Sequence, residues 1–174
     1  YPPMAGVMAL REIIAAKMEK SYGAKYDPEA EITITAGGTQ AIFTAIMATV
    51  SEGDEVIIFT PAYDCYAPAV ELAGGKPVYV QLKNSDYSIE WKQVKKVVTR
   101  HTKMILINTP HNPSGTIMSE KDIQELIKIT KDNDIIILSD EVYEHIVFDG
   151  EQHLSMAQYP ELINRSLIVY SFGK

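Results

Sequence analysis

Residues 102–141 read TKMILINTPHNPSGTIMSEKDIQELIKITKDNDIIILSDE, and the class of fold is decided there. Residues 104–107 are a short, wholly apolar run, as are residues 135–138. Runs of that length, bounded by turn residues, read as strands buried on both faces. Between them, residues 108–115 are rich in Asn, Pro and Gly and read as a loop. Ser119 is a candidate N-cap, and Ile123, Leu126, Ile127 and Thr130 recur at helical spacing after it. Strand, helix, strand in this order means two parallel strands joined by a crossover.

The pattern extends both ways. Upstream, residues 56–59 and 78–82 read as strands, with a helix over 66–73 between them, closed by Gly74 and Gly75. Ser88 is expected to cap a helix reaching about residue 99. Nearer the start, residues 5–22 predict an amphipathic helix with Val7, Leu10, Ile14 and Met18 inward and Gly23 as its C-terminal cap. Residues 32–36 alternate as a short strand does, and residues 40–50 read as a buried helix. Downstream, residues 167–170 read as the last strand. The expectation is one α/β domain, a mainly parallel central sheet with helices on both faces.

Composition sets outer limits. The chain has 174 residues, 46% hydrophobic and 22% charged, which suits a globular domain with a real core. Net charge is -7, with no basic stripe, so nucleic acid is not an expected partner. No apolar run approaches the roughly 20 residues that span a bilayer, so no membrane is expected. The single cysteine, Cys65, reads as a packing residue, and a reducing, cytoplasmic setting fits it. The ends, Tyr1-Pro2-Pro3 and Lys174 just after a strand, suggest a piece of a longer protein.

In open parallel sheets, ligands bind beyond the carboxyl ends of the strands. Chemistry collects there: Gly37-Gly38-Thr39-Gln40, Tyr63, Asn108 to Gly115, Asp140-Glu141-Val142-Tyr143, and Ser171-Phe172-Gly173-Lys174. Alone, each has an ordinary reading. The glycines could be a tight turn, Asp140 a cap, the tyrosines half-buried core and Lys174 a solvated charge. His111 reads as a loop residue, and nothing marks it as a metal ligand. Their order and spacing together change this. Tyr-Pro-Pro-Met-Ala-Gly-Val-Met-Ala-Leu-Arg at 1–11, Thr-Ala-Gly-Gly-Thr-Gln-Ala at 35–41, Pro-Ala-Tyr-Asp-Cys-Tyr at 61–66, Asn-Thr-Pro-His-Asn-Pro-Ser-Gly at 108–115, Ser-Asp-Glu-Val-Tyr at 139–143 and Ser-Phe-Gly-Lys at 171–174 run in sequence. Across essentially its whole length the chain resembles the class I/II pyridoxal-phosphate-dependent aminotransferases of the aspartate-aminotransferase fold. Its nearest likeness is to the methionine and kynurenine (glutamine) branch.

The resemblance implies a cofactor, pyridoxal 5′-phosphate, and a role for each matching residue. Lys174 is similar to the lysine that carries the cofactor as a Schiff base and shuttles the proton. Asp140 is similar to the aspartate under the pyridine nitrogen. Tyr143 and Asn112 are similar to the residues that hydrogen-bond the phenolate oxygen, Asn112 also reaching the substrate carboxylate. Tyr63 is similar to the ring stacked on the cofactor. Gly38, Thr39 and Gln40 are similar to the phosphate cup, and Ser171 to a phosphate-binding serine. Tyr1 is similar to a tyrosine that reaches the phosphate of the neighbouring subunit, which implies a homodimer. The implied reaction is transamination between a neutral amino acid, methionine-like or aromatic, and a 2-oxo acid. A cysteine-conjugate β-lyase on the same scaffold and a non-catalytic sensor domain are the alternatives. Residues 1–174 would be an incomplete cofactor-binding large domain. The small domain, a basic residue for the phosphate and an arginine for the substrate carboxylate are all expected beyond Lys174, so the 174 residues alone should transaminate poorly or not at all.

Overall fold

A computed structural model describes residue 1 and residues 3–174. Five strands form one sheet: β1 (Glu55–Thr60), β2 (Lys76–Gln81), β3 (Thr102–Asn108), β4 (Ile136–Asp140) and β5 (Ser166–Val169). Their order across the sheet is β2-β1-β3-β4-β5, and every pairing is parallel. The helices are α1 (Met8–Tyr22), α2 (Gly38–Thr49), α3 (Tyr66–Leu72), α4 (Trp91–Val97), α5 (Glu120–Thr130) and the short α6 (Pro160–Ile163).

Successive strand residues point to opposite faces, and in the central strands β1, β3 and β4 both faces are covered. Ile57, Phe59, Ile105, Ile107 and Ile137 join Trp91 and Val94 of α4 and Ile123 and Leu126 of α5 in one core. Val56, Ile58, Met104, Leu106 and Leu138 join Ile42 and Ile46 of α2 and Tyr66, Ala69 and Val70 of α3 in the other. This explains why the strands read as unbroken apolar runs. α5 starts at a full capping box: the Ser119 hydroxyl and the Asp122 carboxylate each accept from the other residue's backbone N–H.

Four expectations change. Residues 32–36 form no strand; they run as an irregular segment held by the Ile34 N–H donating to the Ala5 carbonyl, because among the described residues no strand pairs with them. Ser88 is not a helix cap. It hydrogen-bonds Asp86 in a turn, and α4 starts later, after Glu90. α1 buries Arg11 and Met18, and Ile14 packs beside Met18 against Ala24 and Ala157, but Val7, just before its first turn, is exposed. α2 is buried on one side only: Ile42 and Ile46 face the sheet, whereas Phe43 and Met47 are exposed. Among the described residues, no helix is long and apolar enough to cross a membrane.

Candidate active site

The strand order reverses direction at β1 and β3, and at such a switch point the loops leaving adjacent strands part and open a crevice. The register sets what lines it. Asn108 at the end of β3 pairs with Asp140 at the end of β4, and Asp140 with Val169 at the end of β5. A cavity of about 140 Å³ lies beyond these ends. Gly38, Thr39, Tyr63, Asn112, Asp140, Tyr143, Ser171 and Lys174 all line it. Eight of the ten residues singled out in the sequence are therefore brought together. The other two lie elsewhere: the Gln40 side chain is turned away to accept the Ala36 N–H at 2.5 Å, and Tyr1 is fully exposed at the N-terminus.

Asp140 is the buried carboxyl group lining this cavity. It is 4% exposed, and burial raises its carboxyl above the usual carboxylate range. The Tyr66 hydroxyl, donating to Oδ2 at 2.6 Å, and the Val142 N–H, 3.4 Å from Oδ1, pull it back down. The nearby Lys174 charge acts in the same direction. Burial, then the Asp140 charge, push the Tyr66 hydroxyl far above its ordinary range, so it stays protonated and donates. The Lys174 ammonium lies 5.3 Å from the centre of the Tyr143 ring.

The loops are fixed around Asp140. The Asn108 amide donates to the Asp140 carbonyl at 3.0 Å and accepts the Asn112 N–H at 2.7 Å, so one side chain ties Asn112 to the aspartate's own backbone. Glu141 is fully buried and accepts from four donors: the Ser139 hydroxyl, the Met156 N–H, the His153 ring and the Tyr170 hydroxyl. It joins the end of β4 to the end of β5 just before Ser171. Glu144 accepts from Lys17 and Tyr22, which anchors the segment after Tyr143 to α1. α2 approaches the sheet closely at Gly38, where an added Cβ would lie 3.3 Å from Val142 Cγ1. Cys65 packs against the α2–α3 core, and burial followed by the charges of Asp140 and Asp64 raises its thiol to about 11, so it stays protonated.

Tyr66 and Asn108 also line the cavity and bond Asp140, places that the sequence alone did not assign to them. Tyr66 follows Tyr63 by three residues at a helix start, which places both near one edge. Asn108 is a polar residue ending an otherwise apolar strand. Either signal was available, but neither tells where the polar atoms point.

The family model described as aminotransferase class I and II matches residues 1–174. This chain belongs to the class I and II aminotransferase family. It is 44% identical over 174 residues to a methionine aminotransferase of Escherichia coli, covering 100% of this chain and 45% of that protein. It is 37% identical over 185 residues to kynurenine–oxoglutarate transaminase 1 of Mus musculus, covering 42% of it. Among solved structures, the Escherichia coli methionine aminotransferase superposes with a TM-score of 0.97 at 43% identity, over 99% of this chain and 46% of that one. The aromatic aminotransferase of Pyrococcus horikoshii gives 0.95 at 40% identity, over 100% and 47%. The chain thus spans a little under half the length of the relatives it matches.

Proposed function

We propose that the intact protein carrying this chain is a pyridoxal-phosphate-dependent aminotransferase that exchanges the amino group of a neutral amino acid, methionine-like or aromatic, with a 2-oxo acid. The observation that carries the reading is the buried Asp140 carboxylate at the floor of a cavity whose rim bears Lys174. A buried carboxylate with one close donor has room for a cation, and a protonated pyridine nitrogen is such a partner. The phosphate end fits as well. The first N–H groups of α2, at Gly38 and Thr39, have no acceptor within the helix, and the Ser171 hydroxyl lines the same cavity.

When bound, the cofactor supplies the electron sink that makes a proton at an amino acid's Cα labile. The protein's residues do the rest. Asp140 holds the pyridine nitrogen in its charged form. Tyr63 offers a ring face that keeps the cofactor plane fixed, which decides the Cα bond that breaks. Tyr143 and Asn112 orient the phenolate oxygen, and the Asn112 amide also meets the substrate carboxylate. The Lys174 amine would move the proton between the substrate Cα and C4′ of the cofactor, acting as base and then acid. The names of the relatives support the substrate class, and they favour transamination over the lyase alternative. Phe43 and Met47, exposed beside each other on α2, support a homodimer. Residues 1–174 are the incomplete large domain of that enzyme, and the unpaired Cys65 suits a cytoplasmic one.

The test is direct. The intact protein is incubated with pyridoxal phosphate, reduced with borohydride and digested. Labelled peptide containing Lys174, together with 2-oxo acid formed from methionine or an aromatic amino acid, supports the reading. No label, or label only at other lysines, refutes it.

A further inference from the structure

We propose that His111 is a positioning residue that sets the separation of the two loops walling the cofactor cleft, one bearing Tyr63 and the other Asn112. The inference rests on the cofactor reading above. His111 does not line the cleft; it is 9% exposed and faces a neighbouring pocket formed with Phe59, Ile107 and Met118. Its ring nevertheless joins both walls. Nε2 lies 3.0 Å from the Pro61 carbonyl, two residues before Tyr63. A carbonyl only accepts, so Nε2 carries the proton, and Nδ1 must be the acceptor toward the Ser114 hydroxyl at 2.7 Å.

That hydroxyl is itself held. Ser114 Oγ lies 2.8 Å from Thr116 Oγ1 and accepts the Thr116 N–H at 3.3 Å. The backbone closes the same loop, with the His111 N–H donating to the Thr116 carbonyl at 2.8 Å and the Gly115 N–H to the His111 carbonyl at 2.7 Å. The Asn112 wall is therefore stiff, and the imidazole is the strut from it to the Tyr63 wall. Burial lowers the imidazole's affinity for a proton, which keeps the ring neutral and the strut in this one tautomer. The spacing matters because stacking is short-ranged: a gap wider by about 0.5–1 Å forfeits a quarter to a half of a dispersion contact.

The test titrates pyridoxal phosphate into the intact apoprotein as wild type, His111→Asn and His111→Gln, with thermal unfolding of each apoprotein alongside. An asparagine amide reaches the place of Nδ1 and loses the Pro61 link. A glutamine amide reaches the place of Nε2 and keeps it. His111→Asn is expected to weaken cofactor binding about five- to tenfold, the loss of one buried hydrogen bond, and His111→Gln by about twofold or less. A second readout needs no variant: in the wild type, exchange of the His111 Nε2–H with solvent should slow when the cofactor binds. Equal affinities in the three proteins, equal losses in both variants, or exchange indifferent to cofactor would each overturn the proposal while leaving the cofactor reading intact. A wild type that takes up no pyridoxal phosphate removes both.

Discussion

Replacing Tyr66 by phenylalanine removes one oxygen and little else. The ring stays in the α2–α3 core, 2% exposed, and keeps its edge contact with Tyr63 at 5.8 Å. What goes is the 2.6 Å hydrogen bond to Asp140, leaving that carboxylate with the Val142 N–H at 3.4 Å. A hydrogen bond to a charged group contributes about 1.5–3 kcal/mol, against about 0.5–1.5 for a neutral one. The sign with pH follows by linkage. Burial already holds the folded-state pKa of Asp140 above its unfolded value, so the folded apoprotein binds that proton more tightly. This stability is present below the unfolded pKa and is lost as pH rises through the folded one. Tyr66 lowers the folded pKa; its removal raises it further. Tyr66→Phe should therefore cost about 0.5–1.5 kcal/mol in acid, where Asp140 is protonated in both proteins, and about 1.5–3 kcal/mol at neutral pH. Urea unfolding of the intact apoprotein at the two pH values measures the difference. The acid limb of the activity profile should move to higher pH in the same variant. A cost that is equal at both pH values, or larger in acid, would show that Tyr66 does not tune Asp140.

Other substitutions test separate parts of the structure. Lys174→Ala should abolish transamination and borohydride labelling while changing unfolding free energy by about 0.5 kcal/mol or less, because the side chain is exposed. Gly75→Ala would put a Cβ 2.5 Å from Val50 Cγ1 and 3.1 Å from Val70 Cγ1, so a loss of about 1–3 kcal/mol is expected in urea unfolding, with cofactor affinity unchanged once folded. Ser119→Ala opens the capping box of α5 and should cost about 1 kcal/mol, read as a lower unfolding midpoint with unaltered kinetics. Glu141→Ala strands four donors at the junction of β4 and β5 and should cost about 3–5 kcal/mol, read by the same unfolding assay.

The three central strands were legible in the sequence because both their faces are buried. Runs such as residues 104–107 and 135–138 carry no solvent-facing residue to interrupt them. Residues 32–36 show the limit: alternation describes a chain that could be half-covered, but a strand also needs a neighbour, and among the described residues none pairs with this one. On the expected inward face of α1, Met18 and Ile14 pack as the spacing implies and Val7 does not, for a related reason. Helical spacing marks an apolar stripe and not what covers it, and Val7 remains exposed. Candidate site residues were readable as polar groups after apolar strands, an order that one dimension preserves. Tyr66 was not, because an aromatic ring that fills a core looks the same in sequence whether or not its hydroxyl ends on a carboxylate.

The pairing of Asn108 with Asp140 and of Asp140 with Val169 has a consequence for how cofactor and folding are coupled. The cavity draws on Gly38 near the start of the chain, on loops after three central strands, and on Lys174 at the far end. No contiguous stretch of chain contains it, and no single strand with its following loop presents more than one wall. A ligand held there recognises only the finished arrangement, so its binding energy adds to global stability and leaves partly folded forms unaided. Such distant pairings also close late, since long loops must be ordered before they are rewarded. Saturating cofactor should accordingly slow unfolding of the whole sheet while leaving the early, local folding of α5 and its capped turn at the same speed.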